Sequence, residues 1–443
     1  MVFTRKIYDQ LLEWKKTSDG KTALLIEGAR RVGKSTITRL FAENEYESFI
    51  LIDFYRASDD VIHLFDDLSD LDYIFLQLQL IYHVDLIERK SLIVFDEVQL
   101  CPKARQAIKA LVEDRRYDYI ETGSLISVKK NVKDILIPSE ERKLEMLPMD
   151  YEEFCWALGD TTTIPMLKQF YETSKPLGQA AHRKQMRDFR LYMLIGGMPQ
   201  AVDTYLNSNN FKKVDEVKRD ILNLYEDDFR KIDPTGKLSM LFDAIPAQLS
   251  GNASRYNVSS ILENSRAADI LEQISDLASS KTVLLSYHAN DPNSGLAQSI
   301  KLSMFKMFIL DTGLFITLVF KDKDFTENII YEKLLNDKLP ANLGYVYENI
   351  IAQTLVAKRH KLYYHTFLNP ISRHNYEVDF LIADDDKICP IEVKSSTYKT
   401  HASLDAFNQK YSSHIKTEYL LYTKDYQKDG QVICLPMYMA QFL

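Results

Sequence analysis

The stretch TALLIEGARRVGKSTITRLFAENEY, residues 22–46, decides how the chain begins. Its first residues form a short apolar run with the pattern of a buried strand, the run breaks at Gly28, and Ile37, Leu40 and Phe41 then recur at helical spacing. The reading is strand, loop, helix. The loop follows the pattern G-x-x-x-x-G-K-[ST], with Gly28, Ala29, Arg30, Arg31, Val32, Gly33, Lys34 and Ser35 in order and Thr36 next on the helix. That spacing lets successive backbone N–H groups wrap phosphate oxygens at a helix N-terminus. Lys34 would reach the β and γ phosphates and Ser35 would hold Mg²⁺. A chance glycine-rich turn would lack the strand before it and the helix after it.

A phosphate loop needs an apolar strand that ends in acid, and SLIVFDE (91–97) supplies one. Asp96 would complete the Mg²⁺ shell and Glu97 would orient or deprotonate water. Together these motifs describe a nucleoside triphosphatase that uses Mg²⁺. A further strand, YDYIETGS (117–124), offers Thr122 near the γ phosphate, with Ser124 as its substitute. Asp53, at the end of SFILID, reads as a solvated strand end. For the charge that develops on the transferred phosphate, Arg30, Arg31, Arg105, Arg115, Arg116, Arg142 and Arg190 are candidates, Arg142 first. A neighbouring copy could supply the arginine instead, which leaves an oligomer open.

Bulk properties set the frame. At 443 residues the chain exceeds one compact core and calls for several domains. With 46% hydrophobic and 27% charged residues it has ordinary globular composition, and no apolar run is long enough to span a membrane, so a cytoplasmic protein is expected. Cys101, Cys155, Cys389 and Cys434 lack metal-ligand or disulfide-framework spacing. A net charge of −8 gives no bulk attraction to nucleic acid.

Residues 160–235 read as amphipathic helices with a stop and restart at Gly196-Gly197 and Pro199, either plain helix punctuation or a hinge. Between 236 and 300, three short helices and a strand pair suggest a winged helix. Four basic residues against six acidic ones there weaken a DNA-binding reading in favour of protein packing. The segment MFKMFILDTGLFITL (304–318) is expected to form a strand and a turn at Asp311-Thr312-Gly313.

The end of the chain carries a second constellation. In EVDFLIADDDKICPIEVKSS (377–396), period-2 alternation puts Glu377 and Asp379 on one face of a strand and Glu392 and Lys394 on one face of the next, with an acidic turn between them. The helix LGYVYENIIAQTLVAKR (343–359) adds Glu348. Glu348, Asp379 and Glu392 are the candidate ligands of Mg²⁺ or Mn²⁺, and Lys394 would position water, as in a PD-(D/E)xK nuclease. Eleven basic and eleven acidic residues over 341–443 provide no basic groove. His365, His374 and His401 are expected to be surface or core residues.

Taken together, GARRVGKST, LIVFDEVQLCPKARQAIKALVED, IETGS, LPMDYEEF and LIGGMPQAV make the chain resemble prokaryotic AAA-type ATPases that carry a C-terminal domain of unknown function. Asp150 departs from the Ser or Thr expected there, although it still caps a helix. The resemblance implies an α/β multidomain chain: a P-loop AAA-type parallel-sheet core (1–150), a helical lid (151–235), a winged-helix-like segment (236–300) and a PD-(D/E)xK-like α/β domain (301–443). It names no substrate, so DNA, RNA or a protein partner stays open. Two functions follow, an ATP-gated nuclease or an ATP-dependent switch or scaffold with an inert nuclease-like domain.

Overall fold

A computed structural model describes residues 2–123, 139–251, 254–263, 265–292, 295–322, 328–336, 344–370, 375–395 and 400–443. Ser124 and His374 lie outside the described residues. The chain divides into two compact units, Met1–Leu147 with Ser279–Lys281, and Pro148–Ala278 with Thr282–Leu443.

The first unit is built on five parallel strands, β1 (Ala23–Glu27), β2 (Ser48–Asp53), β3 (Ser91–Asp96), β4 (Asp118–Gly123) and β5 (Glu141–Glu145), in the order β2-β3-β4-β1-β5. The three central strands β1, β3 and β4 are buried along their whole length, which is why the first two read as unbroken apolar runs. Edge strand β5, with the sequence ERKLE, is largely exposed. Phe54, Phe65 and Phe95 pack together at ring-centroid distances of 5.4–6.0 Å and anchor one face of the core. Because the strands are parallel, the carboxyl ends of β1, β3 and β4 open on one edge, where ligands of open α/β sheets bind.

β4 also carries a buried carboxyl group. Glu121 is fully enclosed beside Glu141 and Arg105, and Arg105 Nη2 donates to Glu141 Oε2 at 3.1 Å. Burial first, and then the Glu141 charge, push the Glu121 carboxyl well above its usual range, while Arg105 pulls the other way.

The second unit begins with helices Tyr151–Ala157, Thr163–Glu172, Gln179–Ile195, Pro199–Ser208 and Phe211–Ile232. Asp150 and Glu153 close a reciprocal capping box on the first of these. An eight-stranded sheet follows, formed by β6 (Val283–Ala289), β7 (Ile300–Ile309), β8 (Tyr363–Phe367), β9 (Tyr376–Asp384), β10 (Lys387–Val393), β11 (Glu418–Tyr422), β12 (Gln427–Asp429) and β13 (Val432–Pro436). Their order is β12-β13-β11-β10-β9-β8-β6-β7. The hairpin β6–β7 is the strand pair assigned from sequence to a winged helix. In the fold it extends this sheet through parallel pairing of β6 with β8, and the boundary expected at residue 300 falls inside β7.

The strand expected in MFKMFILDTGLFITL forms as part of β7, but in place of the turn Asp311 caps the helix Thr312–Val319 and accepts the Leu314 N–H at 2.9 Å. The Asp311 carboxylate further accepts the Gly197 N–H at 2.5 Å. Lys218, fully buried on the helix Phe211–Ile232, donates to the carbonyls of Leu194 (2.8 Å) and Gly313 (3.2 Å) and to Tyr331 Oη (3.1 Å). Burial pulls its ammonium down to about 8. A methyl group at Gly313 would lie 2.5 Å from the Ile195 carbonyl oxygen, so only glycine lets this helix approach the Gly196-Gly197 break. The break is therefore a packing site for Asp311 and Gly313. Among the described residues no helix is long and apolar enough to cross a membrane.

Candidate active site at the P-loop and a carboxylate cluster near the C-terminus

The loop after β1 is shaped by its glycines. A Cβ on Gly28 would sit 2.3 Å from the Met146 carbonyl oxygen, and Gly33 enters the helix Lys34–Glu45 at φ 102, a left-handed conformation that a side chain would strain. Ala29 and Val32 are buried, while Arg31 and Thr36 are exposed. Arg5 fastens the loop by donating to the carbonyls of Val32 (3.1 Å) and Leu147 (2.7 Å). Lys34 is itself buried, and its Nζ donates to the carbonyls of Gly28 (2.9 Å) and Ala29 (3.1 Å). The ammonium thus lies inside the loop at the helix N-terminus, where the backbone dipoles favour an anion.

Across the sheet edge, Asp96 Oδ1 accepts a hydrogen bond from Ser35 Oγ at 2.8 Å and a short one from Thr122 Oγ1. The order β3-β4-β1 explains this convergence, because Thr122 on the middle strand stands between the acidic strand and the loop strand. Glu97 follows in a left-handed conformation (φ 54), a cost of roughly 1–3 kcal/mol for a residue with a side chain. Its N–H points to Thr122 Oγ1 at 3.4 Å, and its carboxylate accepts a short hydrogen bond from Gln99. A hydroxyl and a carboxylate, both hard oxygen donors, lie where a Mg²⁺ carried by a triphosphate would need ligands, so the residues present fit that ion.

The arginines divide by location. Arg105 is buried in its ion pair, Arg116 pairs with Asp114 and Asp72, and Arg190 donates to Tyr347 Oη. Arg142 lies opposite Leu24, at the end of β1 remote from Gly28, and donates to Thr17. Its place at the far end of β5 removes it as the arginine that would face the γ phosphate of its own chain. Asp53 accepts the Tyr55 N–H in a local turn.

In the second unit, β9 and β10 pair antiparallel around a tight turn in which Asp385 has φ 56. Register places Phe380 opposite Ile391, so Asp379 and Glu392 follow as neighbours, and Asp379 Oδ2 accepts the Val393 N–H at 2.8 Å. Lys394 Nζ pairs with Glu392 Oε1 at 2.5 Å, and Glu392 Oε2 is buried without a hydrogen-bond partner. Glu348 comes from the helix Gly344–Ala357.

Sequence reasoning missed Lys306. Delivered by β7 and buried, its ammonium makes a short ion pair with Glu377 and reaches Glu348 Oε2 at 3.5 Å. The signal was a lone charge inside the apolar run MFKMF. Burial, followed by the Glu348 charge, raises the Asp379 carboxyl well above its usual range. Among the described residues no group of three or more His, Cys, Asp or Glu side chains is arranged to hold a metal ion. The cluster as folded does not fit a divalent cation, because lysines take the carboxylate oxygens. The histidines are engaged elsewhere: His365 between the Ala289 carbonyl and Tyr411, with burial pulling it down to about 4, and His401 with Asp405 and Asp429.

Comparison with known proteins matches residues 20–155 to an AAA domain family, 186–324 to a domain of unknown function (DUF8612) and 343–439 to a second domain of unknown function (DUF4143). No curated protein matches the chain. Among solved structures, a Walker-type ATPase of Pyrococcus abyssi is 15% identical, with 72% of this chain and 96% of that one covered at a TM-score of 0.43. The Aeropyrum pernix ORC1 protein in complex with DNA is 12% identical, with coverage of 76% and 93% and a TM-score of 0.27. PCH-2 of C. elegans is 11% identical, with coverage of 47% and 65% and a TM-score of 0.28. Residues 20–155 match the AAA domain family, and with its loop and acidic strand the first unit has the fold of a P-loop ATPase core.

Proposed function

We propose that the chain is an ATP-dependent switch: the first unit binds ATP with Mg²⁺ and hydrolyses it, and the second unit engages a protein or nucleic acid without cutting it. The observation that carries the first half is the convergence of Ser35 and Thr122 on Asp96 at the mouth of the loop. Ser35 and Asp96 would hold the ion, which when bound supplies charge neutralisation to the β and γ phosphates. Lys34 and the loop N–H groups bind those phosphates, Glu97 orients the attacking water, and Thr122 holds Asp96 and the Glu97 backbone in place. The second half rests on Lys306 and Lys394, which take carboxylate oxygens that a metal nuclease would need.

The rival reading is an ATP-gated nuclease in which Glu348, Asp379 and Glu392 hold Mg²⁺ or Mn²⁺ and Lys394 positions water. It draws support from the register that makes Asp379 and Glu392 neighbours. Single- and double-stranded DNA and RNA, incubated in Mg²⁺ or Mn²⁺ with and without ATP, distinguish the two. We expect no cleavage by the wild-type chain beyond that of Lys394→Ala. Cleavage that needs Lys394 and responds to ATP would replace the switch with the nuclease.

A further inference from the structure

We propose that the Lys306 ammonium is the resident cation of the C-terminal carboxylate cluster, and that a divalent ion binds there only once that ammonium is removed. The inference rests on the reading of the second unit as a domain that does not cut. Glu348, Glu377, Asp379 and Glu392 bring four carboxylates together from one helix and two strands. Such a cluster folds only if cations or bound protons offset its repulsion, because stripping charged carboxylates of water without compensation costs far more than the fold can spare.

The chain supplies two cations. Lys394 extends from the end of β10 to Glu392 and remains partly exposed, as a surface ammonium would. Lys306 differs: its side chain is 6% exposed and its Nζ bridges Glu377 and Glu348. It also lies 5.6 Å from the centre of the Tyr364 ring. β7 is fixed in place, since Phe308 packs on Phe380 at 5.6 Å and the Ile309 N–H and carbonyl both bond to the Asn349 amide. Lys306 therefore arrives on a fixed strand at the end of the sheet, and its long side chain reaches Glu377 on β9 and Glu348 on the helix.

Two features make a metal and this ammonium mutually exclusive. A divalent ion bound by Glu348 would sit within a few ångströms of Lys306 Nζ, a like-charge contact in a site with little water to screen it. The ion would also need Asp379 and Glu392 oxygens, yet Asp379 Oδ2 is held by the Val393 N–H and Glu392 Oε1 by Lys394. Glu392 Oε2 is left buried and without a partner, an acceptor that a cation would complete if Lys306 gave way. Removing Lys306 should thus convert a lysine-filled cluster into a hard-oxygen site for Mn²⁺ or Mg²⁺.

The test is a Mn²⁺ titration of the full chain without nucleotide, following free Mn²⁺ by electron paramagnetic resonance and the melting temperature in parallel. Wild type, Lys306→Met, Glu392→Gln and the double variant are compared, so that ions bound elsewhere cancel. Lys306→Met should gain one Mn²⁺ that the double variant lacks, bound at least tenfold more tightly than any Glu392-dependent ion on wild type, and Mn²⁺ should raise its melting temperature. Equal Glu392-dependent binding by wild type and Lys306→Met would overturn the inference, as would a folded Lys306→Met chain that gains none. If Lys306→Met does not fold, the wild-type titration still decides: a Glu392-dependent ion there overturns the proposal, and its absence in wild type and in Lys306→Arg supports it. Nucleic-acid cleavage is read separately, so failure of the switch reading is distinguishable from failure of this one.

Discussion

Lys34→Ala is expected to weaken ATP binding by at least about 100-fold. Hydrogen bonds to charged groups contribute roughly 1.5–3 kcal/mol each, and the ammonium of a phosphate loop makes two of them to the β and γ phosphates. Lys34 is already desolvated inside its loop, held by the Gly28 and Ala29 carbonyls, so binding need not bury a hydrated cation. The same contacts could make the substitution loosen the loop itself. A melting curve without nucleotide separates that effect from lost binding, and titration with a fluorescent ATP analogue gives the affinity. An affinity within about threefold of wild type would remove Lys34 from phosphate recognition.

Glu97→Gln should leave ATP affinity nearly intact and reduce turnover by about 100-fold or more, the usual scale for loss of a general base. The backbone explains the specificity of the effect. Glu97 sits at φ 54 directly after Asp96, and its N–H is turned to Thr122, so its side chain is aimed by strain and by a neighbour rather than by its own freedom. Glutamine keeps the size and can still accept from Gln99, but it cannot take a proton. Phosphate release measured beside nucleotide affinity reads both quantities, and wild-type turnover in the variant would exclude Glu97 from the chemistry.

The first unit was legible because its signals are local. Strand, glycine loop and helix are contiguous in residues 22–46, and β3 announces itself as an apolar run ending in Asp96-Glu97. The hairpin β9–β10 was legible for the same reason, since period-2 alternation and an acidic turn fix the register. What the sequence hid is long-range. Whether β6–β7 form a wing or lengthen a sheet depends on pairing between β6 and β8, more than seventy positions apart in sequence, which no local pattern reports. Arg142 was favoured because it lies near a strand, but only the β1–β5 register shows that it stands at the wrong end.

Lys306 is the instructive omission. A lone lysine in MFKMF reads as an edge-strand charge until β7 is packed against Phe380 and Asn349. Placed there, it changes the meaning of the four carboxylates around it. Gly197 read as helix punctuation and Asp311 and Gly313 as a turn, and the fold joins them with Lys218 in one buried polar group that holds the helices of the second unit together.

The central claim, that the first unit hydrolyses ATP through Asp96 and its partners, is tested most directly by phosphate release from ATP. The full chain would be assayed in Mg²⁺ and in EDTA, with Asp96→Ala beside wild type. Mg²⁺-dependent release by wild type, absent in EDTA and in Asp96→Ala, is the predicted result. Release that is equal in Asp96→Ala, or no release by a wild-type chain that binds ATP and Mg²⁺, would contradict it.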